Sequence, residues 1–107
     1  MKEVVKSSNN NGATLTVEEL AKDSESGFVV YRHISTPGFL GEKHGHTDFE
    51  WVYVAEGEMK DEFGSYPKGT FKINEKGAVH CSYTETGCTL LVISRGGHTP
   101  VGKQGGE

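Results

Sequence analysis

Along most of this chain, apolar and polar residues alternate over short runs separated by turn-forming residues, and few apolar-periodic segments reach helical length. GFVVYRHIS, residues 27–35, is the clearest run. As an extended strand it puts Val29, Tyr31 and His33 on one face and Phe28, Val30, Arg32 and Ile34 on the other. ATLTV, 13–17, predicts an earlier short strand, and EELAKDSESG a helical turn beginning near Glu18 and ended by Gly27. Pro37 and Gly38 break the second strand. In the run that follows Glu50, Val52 and Val54 share that residue's face, while Phe49, Trp51 and Tyr53 take the other. Both faces are apolar, which predicts a strand covered on both sides. Turn signals at Glu56-Gly57, Gly64, Pro67, Gly69 and Gly77 leave room for strands over 58–62 and 69–73. AVHCSYT, 78–84, and CTLLVIS, 88–94, predict a hairpin folded at Thr84 to Gly87. Residues 1–12 read as a loose polar arm, and 96–107 as a flexible tail over the surface. Strands recurring every eight to twelve residues, with no internal repeat, predict an all-β sandwich or closed barrel.

Composition narrows the picture. At 107 residues and 34% hydrophobic content the chain suits one domain with a modest core. A formal charge of -4 with no basic block argues against a nucleic-acid partner. No apolar run approaches the roughly 18 residues of a membrane span, and MKEVVKSSNNNG lacks a signal-peptide core. The expectation is a cytoplasmic protein. Cys81 and Cys88 are too few for a disulfide scaffold, although the predicted hairpin would let them face each other.

Candidate chemistry is concentrated in GFLGEKHGHTDFEWVYVAEG, residues 38–57. His44 and His46 are two apart and Glu50 is four further on, so in an extended chain all three share a face. A helix would scatter them at about 100° per residue. Gly45 and the β-branched, aromatic run after Glu50 also favour extended structure. Imidazole nitrogens and a carboxylate suit Fe(II), Mn(II), Ni(II) or Zn(II), and ligand chemistry alone does not choose among them.

These residues resemble the two signature motifs of the cupin superfamily. The first, G-x5-H-x-H-x3-E-x6-G, is matched at every position by Gly38, His44, His46, Glu50 and Gly57. The second, G-x5-P-x-G-x2-H-x3-N, finds Gly69, Gly77 and His80, with Glu75 in place of Pro and Thr84 in place of Asn. The resemblance implies a jelly-roll, double-stranded β-helix barrel with a metal held inside by His44, His46, Glu50 and His80. The stretch 66–94 is similar to a subgroup that includes the cupin domain of anti-sigma factors and acetylacetone-type dioxygenases. Two functions follow as expectations. One is an oxidoreductase, dioxygenase-like, acting on a small organic substrate chelated to Fe(II). The other is a non-catalytic, zinc-binding sensory or regulatory module. The resemblance also implies a homodimer.

Beyond the ligand set, Tyr31 and Phe71 are candidate substrate-binding residues, with Tyr83 a third aromatic able to line a pocket. Aromatics on strands are more often core. Trp51, facing away from the ligands, suits a second sheet or a partner subunit. His33 and His98 read as ordinary polar residues, and Cys81, adjoining His80, points away from an ion bound there. Glu62 and Arg95 are candidate acid/base or substrate-anchoring groups. No nucleophile elbow, Cys-His dyad or phosphate loop competes with the metal reading.

Overall fold

The computed structural model describes residues 2–41, 44–46, 50–74, 79–95 and 98–100, with side chains for 6–41, 50–74 and 81–95. Among the described residues every regular element is a strand, as the alternation predicts. The elements are β1 (Lys2–Ser8), β2 (Thr14–Lys22), β3 (Phe28–Ser35), β4 (His44–His46), β5 (Glu50–Asp61), β6 (Gly64–Pro67), β7 (Phe71–Asn74), β8 (Val79–His80), β9 (Cys88–Arg95) and β10 (His98–Pro100). A seven-stranded antiparallel sheet runs β1-β2-β3-β9-β5-β6, with β7 also paired to β5. A three-stranded sheet runs β10-β4-β8.

β5 organises the larger sheet. Its first half lies between β9 and β7, and its second half pairs with β6 after a register shift between Val54 and Glu56. The predicted parity holds: Glu50, Val52 and Val54 are buried, whereas Trp51 and Tyr53 remain 40% and 38% exposed. The outward row is therefore open, correcting the expectation of cover on both faces. Trp51 and Tyr53 lie beside Phe71, with ring centroids 6.1 and 6.3 Å away. Val52, Val54, Met59, Cys88, Leu90 and Val92 form the buried core cluster, with Tyr31 and Tyr66 packed against it. Each such aliphatic side chain contributes about 1.5–3 kcal/mol when fully buried.

Four local expectations change. The helical turn at Glu18 is strand, because β2 is paired on both sides and Glu18 stands opposite Arg32, whose Nη2 lies 2.7 Å from Oε1. Tertiary pairing overrides a polar sequence with helical tendency. The arm expected at 1–12 contains β1, which adds to β2 as an edge strand. The tail expected over 96–107 contains β10, which pairs with β4. The hairpin between 78–84 and 88–94 does not form, since β9 is filled on both sides by β3 and β5 while β8 pairs with β4. Cys88 lies on β9 and Cys81 just after β8, and no disulfide joins them.

Where β8 and β9 part, the chain is tied down by its own backbone. Tyr83 exchanges N–H···O bonds of 2.8 Å with Lys60 in both directions, and the Thr84 hydroxyl donates to the Glu58 carbonyl at 2.6 Å. Gly57 sits against this crossing with φ of 74°. A Cβ there would come within 2.0 Å of the Gly87 carbonyl oxygen and 2.9 Å of the Cys88 Cα. The last glycine of the first motif is thus required by backbone contact as well as by conformation. Gly57→Ala should lower unfolding stability by more than about 2 kcal/mol. A urea midpoint shift measures it, and an unchanged midpoint would refute the steric account.

Candidate metal centre

At one end of the larger sheet the buried face turns from apolar to polar. Val92 and Val52 form one register row and Leu90 and Val54 the next. The row on the other side of Val52 is Ser94 on β9, Glu50 on β5 and Asn74 on β7, each only 6% exposed. Alternation along the three strands puts these polar residues on the same face as the valines, so they are interior groups needing interior partners.

The Asn74 Nδ2 donates to Glu50 Oε1 at 3.0 Å. Lys72, two residues back on the same face of β7, donates from Nζ to Asn74 Oδ1. That ammonium also lies 3.2 Å from Asp61 Oδ2 and 5.2 Å from the Tyr66 ring centroid. Asp61 ends β5 with a fully buried side chain. Its Oδ1 accepts from the N–H of Phe63 at 2.8 Å, the N–H of Gly64 at 3.2 Å and the Tyr66 hydroxyl at 2.9 Å. Burial alone would raise the Asp61 pKa, but the Phe63 N–H, the Tyr66 hydroxyl and Lys72 outweigh it and hold the carboxyl below its ordinary value. Burial, then the Asp61 hydrogen bond, push the Tyr66 phenol up, so it stays a donor. A continuous chain thus runs from Asp61 through Lys72 and Asn74 to Glu50.

The three histidines of the expected ligand set lie on the smaller sheet. Backbone register sets His44 directly opposite His80, and His46 opposite His98. Opposed positions are the nearest cross-strand neighbours in an antiparallel ladder. Only residues 47–49 separate His46 from Glu50, so their Cα atoms are at most about 14 Å apart. The side chains of His44, His46, His80 and His98 lie outside the described set. Among the described side chains, no cluster of three or more potential ligands occurs. The donor set itself fits a divalent ion. Lys72 is matched by Asp61, and Asn74 gives Glu50 a neutral donor that hydrogen-bonds a carboxylate without cancelling its charge.

Other candidates are distributed differently. Tyr31 faces inward opposite Val92, edge-on to His33 with centroids 6.3 Å apart. Phe71 does not line the interior. β7 registers it with Tyr53 on the outer face, 54% exposed, because Lys72 and Asn74 occupy the inward positions. Glu62 Oε1 accepts from the Cys81 N–H at 3.0 Å, next in sequence to His80, while the Arg95 guanidinium lies over the Phe28 ring at 5.2 Å. The Cys81 thiol donates to the Gly41 carbonyl at 3.1 Å. Burial pushes the Cys88 thiol up, leaving it a core residue. Sequence reasoning missed Lys72, Asn74 and Asp61. For Lys72 and Asn74 the signal is the polar residue at each alternate position of FKIN.

Comparison with known proteins agrees with this architecture. The family model described as the ChrR cupin-like domain matches residues 6–96. Among curated proteins, none matches the chain in sequence. Among solved structures, an acetylacetone dioxygenase from Acinetobacter johnsonii superposes with a TM-score of 0.78 at 13% identity, covering 94% of this chain and 74% of that one. A protein of unknown function with a cupin-like fold from Ralstonia eutropha gives 0.73 at 18% identity, over 84% of this chain and 60% of that one. A chain of the Rhodobacter sphaeroides SigE complex with the anti-sigma ChrR gives 0.63 at 19% identity, over 85% and 49%. The chain thus spans less than two thirds of the last two. At these identities the likeness establishes the cupin fold.

The interior ion pair has a pH signature. Because the folded Asp61 pKa is depressed, its contribution is present at neutral pH and is lost as pH falls below the ordinary 3.8 through the folded value. Asp61→Asn should cost about 2–4 kcal/mol at pH 7. The gap to the unsubstituted protein should narrow in acid, as read from urea midpoints between pH 7 and pH 3. A gap that stays constant would contradict the assignment.

Proposed function

The chain belongs to the ChrR cupin-like family, and from that membership we propose that it binds one divalent transition metal ion through His44, His46, Glu50 and His80. Fe(II) or Zn(II) suits this nitrogen and oxygen set best, with Mn(II) and Ni(II) compatible. The observation that carries the reading is a buried carboxylate in a polar register row, a few residues downstream of the strand that pairs His44 with His80. A carboxylate oxygen beside imidazole nitrogens is the donor set that such divalent ions take up.

On this reading the protein is a metal-dependent oxidoreductase, dioxygenase-like, acting on a small organic substrate. The bound ion would supply Lewis acidity and a place where substrate and oxygen meet. The chain's own residues do the rest. Tyr31 and the aliphatic rows of Val52, Val54, Leu90 and Val92 offer an apolar wall that excludes water. Asn74 holds the Glu50 carboxylate, and the Asp61–Lys72 pair confines the nearby positive charge. Fold similarity to an acetylacetone dioxygenase over most of both chains supports this class.

A second reading, a zinc-binding sensory or regulatory module, is favoured by the family model itself, which is named for an anti-sigma protein. Metal analysis of protein purified without added metal, followed by oxygen uptake with Fe(II) and a panel of diketones, separates the two. The enzyme reading predicts about one ion per chain and substrate-dependent uptake. Stoichiometric zinc with no uptake would favour the module. His46→Ala should lower metal content and reduce the melting temperature of the loaded protein by several degrees, because binding energy is shared with folding. Unchanged metal content in that variant would overturn the ligand assignment.

A further inference from the structure

We propose that Asn74 is a positioning residue for Glu50, holding the carboxylate in one orientation from a side chain that is itself fixed by Lys72. The proposal deepens the metal-binding reading and rests on it.

Cross-strand register sets Asn74 opposite Glu50 on the interior face, and both are buried. An amide has two chemically opposite ends, and either could face a neighbour. Lys72 removes that freedom. An ammonium only donates, so it takes the amide oxygen and leaves Nδ2 to point at the carboxylate. Lys72 is in turn held by Asp61 at 3.2 Å and by the face of Tyr66, with its side chain only 16% exposed. The anchor of the chain, Asp61, has its Oδ1 engaged by two backbone N–H groups and a phenol. The order of donors is therefore fixed from the β5–β6 turn to Glu50, and the carboxylate is delivered in a set rotamer. Groups that orient a metal-binding carboxylate commonly account for 10–100-fold in affinity without touching the ion.

Competition titration of chelator-stripped protein with Co(II), against a chromophoric chelator, tests this. Asn74→Ala should bind Co(II) about 10–100-fold more weakly than the unsubstituted protein, with a shifted visible Co(II) spectrum. Asn74→Asp should bind more weakly still, because an acceptor then faces the carboxylate. Lys72→Met should show a smaller loss in the same direction, since it frees the amide to rotate. Circular dichroism of each metal-free variant separates these effects from unfolding. If the Asn74 variants do not fold, the Lys72→Met titration carries the test. Folded variants with unchanged Co(II) affinity and spectrum would overturn the positioning role and leave the metal reading standing. Unsubstituted protein that takes up no Co(II) would overturn both.

Discussion

A carboxylate placed inside a β-walled interior is the constraint around which this molecule is arranged. Glu50 opens the longest strand, is 6% exposed, and stands in register with Ser94 and Asn74. A carboxyl group in that position needs hydrogen-bond partners and a suitable charge environment around it. Asn74 supplies the first. Lys72 pairs with Asp61 and donates to Asn74, so one amide separates its ammonium from Glu50. In the metal-binding reading that separation is useful, because a lysine against the carboxylate would compete with the ion.

The rest of the fold sets this end of the sheet apart from the other. Beyond Glu50 the interior rows of β5 and β9 are aliphatic, and they supply the packing that lets one end be polar. The second half of β5 turns into a separate pairing with β6 after its register shift, which brings Asp61 and Tyr66 back beneath Lys72. Gly57 is the point where this change of course passes the Gly87 carbonyl, and it has no room for a side chain. Backbone closure and the ionic chain are thus linked through a single strand.

Much of this was legible in the chain. Alternation in 27–35 and 50–54 assigned the correct faces to Val29, Tyr31, Val52 and Val54, because a buried strand face imposes a period of two. The motif spacing pointed to His44 and His80, which the register sets opposite each other. Pairing partners were harder. The polar stretch after Glu18 reads as a turn until β3 is placed beside it, and only then does Arg32 meet Glu18. The loop after Thr84 has the composition of a hairpin, yet β9 has both edges taken by strands remote in sequence. Phe71 reads as a pocket aromatic, while the inward residues of its strand are the polar ones. Local pattern fixes which way a side chain alternates, and long-range pairing decides which of the two faces is inside.

X-ray absorption at the metal edge of the loaded protein examines the central claim most directly. Three imidazoles and one carboxylate predict a first shell of nitrogen and oxygen alone at about 2.0–2.2 Å, with the outer scattering of imidazole rings. A sulfur scatterer near about 2.3 Å, or a shell without imidazole, would contradict the account.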